Sequence, residues 1–395
     1  MKKIARKHYL EKLSRLRGTP DIKVLTGVRR AGKSTLLKDW GEALEREGAN
    51  VVKIDFADLS NEPLTDYHEL HRHAEAHKAT GRENVLMIDE VQACPEFERA
   101  INSLHARGGW DIYLTGSNAF LLSSDLATLF TGRQIGIPVL PFSFSEYQLY
   151  FPGNDIQRAF DEYLVTGGLA GSYAYRTERD RTSYVREVFE TILVRDLTEK
   201  YRLSEPTVLR HLAEYLMDNI ANLTNPHRTS VQLAQNKVAT NHATAGTYIE
   251  HLRNAFLFYP VKRYDIHGRK YLATSEKYYL CDLGFRDAVL GRRNMDYGRA
   301  YENLVYLELS RRGYDVHVGK LYGREIDFVA VRGGEKLYIQ VADDISGNET
   351  RTRETAPLLS IRDAYPKMLL ARTRHEEYDV EGIRVVDLAD WLGKE

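Results

Sequence analysis

The chain has 395 residues, enough for two or three domains. Hydrophobic residues make up 43% and charged residues 28%, which is an ordinary soluble globular composition. The formal net charge of −1 gives no general argument for binding nucleic acid, so any such binding must come from a local patch. Because no stretch resembles a membrane span or a secretory signal, we expect a cytoplasmic protein that contacts no membrane. Cys94 and Cys281 are too few and too far apart for a disulfide or metal framework, and we expect both to be small buried side chains.

The amino-terminal elements lead to one strongly patterned loop. Apolar residues at helical spacing predict an amphipathic helix over residues 6–16, and a short β-branched run predicts a buried strand over residues 22–26. Residues 27–34 then read Gly-Val-Arg-Arg-Ala-Gly-Lys-Ser, which matches the phosphate-binding P-loop pattern G-x-x-x-x-G-K-[ST] at every fixed position. A helix is predicted from residue 35. Strand, glycine loop and helix form the context that this motif requires.

The chemistry of a P-loop assigns roles to these residues. Backbone N–H groups and the positive end of the helix would face a triphosphate. Lys33 would reach the β- and γ-phosphates of ATP, and the Ser34 hydroxyl would ligate Mg²⁺. The residues expected to bind the nucleotide are Gly27, Arg29, Arg30, Ala31, Gly32, Lys33, Ser34 and Thr35.

An acidic pair follows a second buried strand. Residues 85–88 are apolar and lead directly into Asp89 and Glu90. In an NTPase, Asp89 would hold Mg²⁺ through water, and Glu90 would orient or deprotonate the water that attacks the γ-phosphate. The histidines at positions 68, 71, 73 and 77 precede this strand; without a second ligand cluster, they favour a solvated helix face over a metal site.

Two further candidates follow in the chain. The predicted strand over residues 111–115 ends near Ser117 and Asn118, which could present a hydroxyl or an amide to the attacking water or could simply cap a helix. Arg133 lies on a turn before the last core strand, predicted over residues 134–140. Its guanidinium could project into the site of a neighbouring subunit, or it could be an ordinary surface arginine.

Taken together, these motifs resemble the ATPase domain of AAA-type proteins. The phrases at residues 25–30, 137–143 and 167–169 are similar to those of a prokaryotic group in which this domain precedes a C-terminal domain of unknown function. The resemblance covers nearly the whole chain and implies ATP binding, but it implies no biological role.

The resemblance also bears on individual residues. It implies that Ser117 or Asn118 is a polar sensor and that Arg133 stands where such proteins carry an arginine finger, in a homo-oligomer. The doublet Arg29 and Arg30 is typical of the group, and either a phosphate contact or an intersubunit salt bridge would fit it.

The middle of the chain is mostly helical. Helices predicted over residues 156–166 and 183–201 resemble the lid that follows an AAA core. Further helices and a two-stranded hairpin suggest a winged helix, with residues 243–256 as its recognition helix. The hairpin tip carries a local basic patch formed by Arg263, His267, Arg269 and Lys270. Duplex or branched DNA could bind there, although winged helices also dock proteins.

The pattern of elements in the last third of the sequence predicts a restriction-endonuclease-like fold. Glu302 and Asp327 stand where such a fold places catalytic carboxylates, but Gln340 replaces the second acid and Ala342 replaces the lysine. Because metal-dependent cleavage needs these groups, we expect a degenerate nuclease retained for binding or assembly. Asp343 or Asp344 could substitute as a metal ligand, but neither replaces the lysine.

These patterns predict an α/β fold. We expect a P-loop NTPase core with a parallel sheet in residues 1–150, a helical lid in 151–204, a winged helix in 205–292 and an α/β restriction-endonuclease-like domain in 293–395. The expected function is Mg-ATP turnover coupled to rearrangement of a DNA or protein partner. A nucleotide-gated adaptor or switch is the alternative, and an active Mg²⁺-dependent nuclease is less favoured.

Overall fold

A computed structural model describes residues 2–116, 130, 132–268, 270–292 and 295–394, with the side chains of 270–274 not described. The chain divides into two compact units, one spanning Lys3–Val139 and the other formed mainly by Leu140–Glu395. The finer boundaries expected at residues 150, 204 and 292 stay predictions. Within the described ranges, no helix combines the length and apolar character that crossing a bilayer requires.

The first unit is built on a parallel sheet, as the sequence predicts. Its strands lie in the order β2-β3-β4-β1-β5, and every neighbouring pair is parallel. The strands are β1 Ile22–Thr26, β2 Asn50–Asp55, β3 Asn84–Asp89, β4 Asp111–Thr115 and β5 Gln134–Pro138. The α-helices described in this unit are Lys7–Leu16, Lys33–Arg46, Tyr67–Ala76 and Phe97–Arg107. The fold is therefore an α/β P-loop NTPase core.

A buried ion pair lies near the amino-terminal ends of β1 and β4. All residues of β1 and β4 are buried, and they include a charged side chain from each strand. The Lys23 ammonium lies 2.5 Å from Asp111 Oδ1 and donates to the Thr19 carbonyl at 2.7 Å. Tyr113 donates its hydroxyl to the other Asp111 oxygen at 2.9 Å. Because each polar group has a partner, these groups can be buried in the core.

The second unit begins with helices. The described α-helices before its main strands are Phe144–Tyr150, Ile156–Thr166, Glu178–Thr191, Pro206–Asp218, Pro226–Gln235, His242–Asn254 and Leu283–Leu290. The helix predicted over residues 183–201 is present, but its last part, Ile192–Glu199, has π-helical geometry. Hydrophobic spacing does not distinguish that geometry from an α-helix, because both present a buried stripe.

The glycine pair at residues 167 and 168 ends one of these helices against a buried carboxylate. Asp282 is buried and accepts the N–H groups of Gly168 at 2.6 Å and Gly284 at 2.7 Å. A Cβ atom on Gly167 would lie 1.8 Å from Asp282 Oδ1, and one on Gly168 would lie 2.2 Å from the Phe142 carbonyl oxygen. Close packing therefore requires glycine at both positions.

In the described part of this unit, nine strands form one sheet in the order β13-β14-β12-β11-β10-β9-β7-β8-β6. The strands are β6 Leu223–Thr224, β7 Phe258–Asp265, β8 Lys270–Leu280, β9 Asp315–Leu321, β10 Arg324–Arg332, β11 Glu335–Ala342, β12 Lys367–Ala371, β13 Tyr378–Val380 and β14 Ile383–Asp387. The accompanying helices are Tyr297–Arg311, Asn348–Leu359 and Leu388–Gly393.

The hairpin of β7 and β8 is part of the same sheet as the C-terminal strands. β7 pairs antiparallel with β8 and parallel with β9, where Arg263 is opposite Val318 and Asp265 is opposite Lys320. The sequence pattern predicts strands over residues 314–319, 325–332 and 336–342. The strands β9, β10 and β11 confirm them within two residues at either end. The pairing of β7 with β9 has no signature in the sequence, because more than forty residues separate the two strands.

Candidate nucleotide-binding site

The P-loop follows β1 and has the backbone that its glycines permit. Gly27 and Gly32 have φ values of 141° and 95°, and Arg30 between them also has a positive φ of 67°. A Cβ atom on Gly27 would lie 2.1 Å from the Val139 carbonyl oxygen, so the chain passes too close for any other residue. Gly32 precedes the helix Lys33–Arg46, whose positive end therefore faces the loop.

Lys33 is buried inside this loop. Its ammonium donates to the carbonyl oxygens of Gly27 at 2.9 Å and Val28 at 3.1 Å. The loop thus gathers a lysine and the amino end of a long helix at one point. Positive groups in this arrangement fit the phosphates of a nucleotide. Arg29 is half-buried and Arg30 is exposed, and their roles stay predictions, as does that of the exposed Thr35.

The predicted metal-binding pair is brought together at the carboxyl edge of the sheet. Asp89 ends β3, and the hydroxyl of Ser34, the residue after Lys33, is close enough to lower the pKa of its carboxyl. Burial raises the pKa of Asp89 above its ordinary value, and hydrogen bonds from Thr115 and Ser34 lower it only in part. A hydroxyl and a carboxylate beside a phosphate-binding loop are the oxygen ligands that Mg²⁺ prefers, so these residues fit that ion.

Thr115 connects the two predicted acids and was not expected from the sequence. It ends β4, which lies between the P-loop strand and the acidic strand. Its hydroxyl donates to Asp89 and accepts the Glu90 backbone N–H at 3.3 Å. In the sequence, only the position of Thr115 could have indicated this role, because it is the last residue of the strand that precedes Ser117 and Asn118.

Glu90 has an unusual backbone. Its φ of 54° lies in the left-handed region, which is costly for a residue with a Cβ atom and is frequent at functional sites. Its carboxylate is half-buried and accepts a hydrogen bond from the Gln92 side chain. Asp89 is thus the last residue of the extended strand β3, whereas Glu90, the next residue, has a left-handed backbone.

The remaining predicted residues lie elsewhere. Ser117 and Asn118 fall outside the described residues. Arg133 is exposed, and its carbonyl accepts the N–H of Ile22, the first residue of β1. The P-loop follows the opposite end of β1, so the two are separated by a strand length of about 16 Å. Arg133 is therefore on the other edge of the sheet from the P-loop of its own chain.

The second predicted cluster is also assembled, with one addition. Glu302 and Asp327 approach each other around a lysine, and the Asp327 N–H donates to the Gln340 amide oxygen at 3.4 Å. The lysine is Lys277 of β8, whose ammonium lies 2.8 Å from Glu302 and 2.7 Å from Glu325. Sequence reasoning missed Lys277, because it looked for a cation only at Ala342, two residues beyond Gln340.

This cluster is an ion-paired cage in the structure. The Lys277 ammonium lies 3.8 Å from Asp327, and the Tyr279 hydroxyl donates to Glu302 at 2.5 Å. Burial raises the pKa of both Glu302 and Asp327. Burial lowers the pKa of Lys277, but the three surrounding carboxylates raise it by more, so the net shift is upward. Among the residues that the structure describes, no group of three or more histidine, cysteine or acidic side chains is arranged to hold a metal ion.

The predicted recognition helix spans His242–Asn254. On its surface, Thr247 is exposed, while Arg253 pairs with Glu250 at 2.6 Å and the His251 ring stacks on Tyr201 at 3.9 Å. At the hairpin tip, the Asp265 side chain accepts the His267 N–H at 3.1 Å. Arg269 and the Lys270 side chain fall outside the described part.

Comparison with known protein families assigns two segments. A family model described as an AAA domain matches residues 19–148. A model described as a domain of unknown function, DUF8612, matches residues 157–296.

The chain also has relatives over most of its length. An uncharacterized protein of Haemophilus influenzae is 36% identical in an alignment of length 398 that covers 98% of each chain. The uncharacterized protein MJ1544 of Methanocaldococcus jannaschii is 26% identical over 345 residues, covering 83% of this chain and 76% of that one.

Solved structures are similar only at a low level. AMPPCP-bound DnaA from Aquifex aeolicus has a TM-score of 0.31 at 15% identity, over 63% of this chain and 87% of that one. The Aeropyrum pernix ORC1 protein in complex with DNA has a TM-score of 0.30 at 11% identity, over 79% of this chain and 94% of that one. These scores carry no inference about activity. The chain belongs to the family of the Haemophilus influenzae protein, and its residues 19–148 match the AAA domain model.

Proposed function

We propose that the chain binds Mg-ATP and hydrolyses it. The observation that carries the proposal is the junction of the P-loop with the acidic strand. The buried Lys33 lies at the positive end of its helix, and the adjacent Ser34 is close enough to Asp89 to lower the pKa of that carboxyl. Thr115 extends this junction to the backbone of Glu90. Lys33 and Ser34 of the loop are thus gathered with Asp89 and Glu90 at the carboxyl edge of the sheet.

The residues divide the work as follows. The loop amides and Lys33 bind the phosphates, and the lysine exchanges its bonds to loop carbonyls for bonds to phosphate oxygens. Ser34 and Asp89 hold Mg²⁺, which neutralises negative charge on the phosphates when it is bound. Glu90 orients the attacking water and accepts its proton.

Arg133 acts on a neighbouring subunit in this proposal. It is exposed and lies on the opposite edge of the sheet from its own P-loop, so its guanidinium serves a second copy of the chain. Turnover per chain should then rise with protein concentration, and Arg133→Ala should abolish the rise. A monomeric mass with concentration-independent turnover would remove this role.

Substitutions at the site test the activity. Lys33→Ala should lose ATP binding measured by calorimetry, whereas Glu90→Gln should bind ATP and release phosphate far more slowly. Lys38→Ala is a matched control, because Lys38 is exposed on the same helix. Unchanged phosphate release in Glu90→Gln would contradict the role of Glu90, and ATP binding by Lys33→Ala would contradict the site.

The partner is proposed to be DNA, contacted by the helices and hairpin between residues 205 and 292. Support comes from the exposed start of the helix His242–Asn254 and from the exposed Arg228 on the helix before it. Gel shifts with duplex, single-stranded and branched DNA, with and without ATP, test this assignment. ATP-dependent binding that falls steeply with salt supports it. If none of these DNAs is bound, while Glu90→Gln with ATP retains a protein, the alternative of a nucleotide-gated adaptor is favoured.

A nuclease is the third candidate, and the structure adds an observation in its favour and one against. Lys277 supplies a cation beside Glu302 and Asp327, although Ala342 occupies the lysine position that the sequence pattern indicates. However, the ammonium occupies the centre of the carboxylates, where a metal ion would have to bind. We therefore propose that the cage is structural. Plasmid cleavage with Mg²⁺ or Mn²⁺ that is lost in Asp327→Ala would overturn this assignment.

A further inference from the structure

Arg6 is a buried arginine that contacts the P-loop. It immediately precedes the helix Lys7–Leu16, and only 5% of its surface is exposed. One guanidinium nitrogen, Nη1, donates to the Ala31 carbonyl at 3.1 Å. The guanidinium also lies over the Tyr9 ring, 4.4 Å from its centroid. Arginine is seldom buried without specific partners, and the Ala31 carbonyl of the loop is one of them.

The Ala31 carbonyl is a sensitive point of that loop. Ala31 lies between Arg30 and Gly32, which both have positive φ values, so the loop adopts a conformation that must be held in place. In this structure, Lys33 also contacts the loop through two carbonyls. A lysine that turns to phosphate gives up those contacts, whereas the hydrogen bond from Arg6 to Ala31 is independent of it.

The charge of Arg6 points in the same direction. A Cβ atom on Gly32 would lie 3.9 Å from Arg6 Nη1, so the guanidinium lies close to the amino end of the helix Lys33–Arg46. A cation is unfavourable at that end of a helix, because the helix dipole is positive there. Arg6 and Lys33 thus place two cationic side chains near this end of the helix, where the phosphates of a nucleotide are expected to bind.

We propose that Arg6 is a positioning residue of the nucleotide site. It holds the Ala31 carbonyl so that the loop amides face the phosphates. This inference rests on the proposed binding of ATP. A residue that stabilises bound substrate and transition state equally should change the Michaelis constant and leave the turnover number unchanged.

The test uses the full-length chain and two replacements. Arg6→Met keeps apolar packing on Tyr9 but removes the donor and the charge, and it should raise the KM for ATP about tenfold with kcat within a factor of two. Arg6→Lys keeps a cationic donor and should restore most of the affinity. Arg17→Met is the control, because Arg17 lies just beyond the other end of the same helix and pairs with Glu83 at 2.6 Å.

The outcomes separate this inference from the proposed function. If the unmodified chain fails to bind ATP, the proposed function itself fails. If it binds ATP and Arg6→Met has an unchanged KM, only the role of Arg6 is refuted. An equal loss in Arg6→Lys and Arg6→Met, or a fall in kcat at constant KM, would likewise overturn it. If Arg6→Met does not fold, Arg6→Leu takes its place; a KM raised about tenfold is again expected, and an unchanged KM again refutes the role of Arg6.

Discussion

Replacing Lys277 by methionine should destabilise the second unit by an amount that depends on pH. The Lys277 side chain is 4% exposed and lies within 3 Å of two carboxylates, with Asp327 at 3.8 Å. Removing one partner from a buried ion pair costs about 3–5 kcal/mol, because the other charge stays buried without compensation. We expect a loss of that size at pH 8.

The loss should be smaller at low pH. Without the ammonium, the pKa values of Glu302 and Asp327, which burial already raises, should rise further in the folded state. The folded variant then binds more protons than the unfolded chain, so its stability falls as pH rises. At pH 5.5, protonation neutralises part of the cage, and the loss should be at least about 1 kcal/mol smaller than at pH 8.

Urea unfolding followed by circular dichroism at both pH values measures this effect. Lys53→Met is the control, because Lys53 pairs with Glu45 at 2.7 Å but both side chains are more than one-third exposed. Its loss should stay within about 1 kcal/mol at either pH. A loss below 1 kcal/mol for Lys277→Met at pH 8, or equal losses at the two pH values, would refute the reasoning.

Three further predictions follow from described contacts. Thr115→Val removes a donor to Asp89 and should raise the Mg²⁺ concentration for half-maximal ATP turnover about tenfold in a metal titration. Burial raises the pKa of Asp282 to about 7, so the folded state retains a proton that the unfolded chain releases. Stability should therefore fall as pH rises from about 4 to 7, and Asp282→Asn should reduce this pH dependence of the melting temperature. Gly168→Ala places a Cβ atom 2.2 Å from a carbonyl oxygen and should cost at least about 2 kcal/mol in urea unfolding, whereas Gly136→Ala, with open space around it, should cost far less.

The parts of the site that follow a fixed spacing were predictable. The P-loop pattern located Lys33 and Ser34, and an apolar strand ending in two acids located Asp89. In a parallel sheet, such strand ends meet at one edge, so the sequence was sufficient to expect their proximity.

The parts that depend on which elements are neighbours in space were not predictable. Thr115 acquires its contacts because β4 lies between β1 and β3, and Lys277 reaches Glu302 from a strand assigned to another segment. Arg6 lies more than twenty residues before its partner Ala31. Each of these is a long-range contact between residues that are ordinary in their local sequence.

The pairing of β7 with β9 has a consequence for truncation. A chain ending near residue 292 would lack β9 and so leave the outer edge of β7 without its hydrogen-bond partners. An uncovered edge strand readily pairs with the same strand of another molecule. A fragment that contains the hairpin and its helices would therefore be prone to aggregate. Deletion at the C-terminus should cause aggregation before it causes a loss of binding.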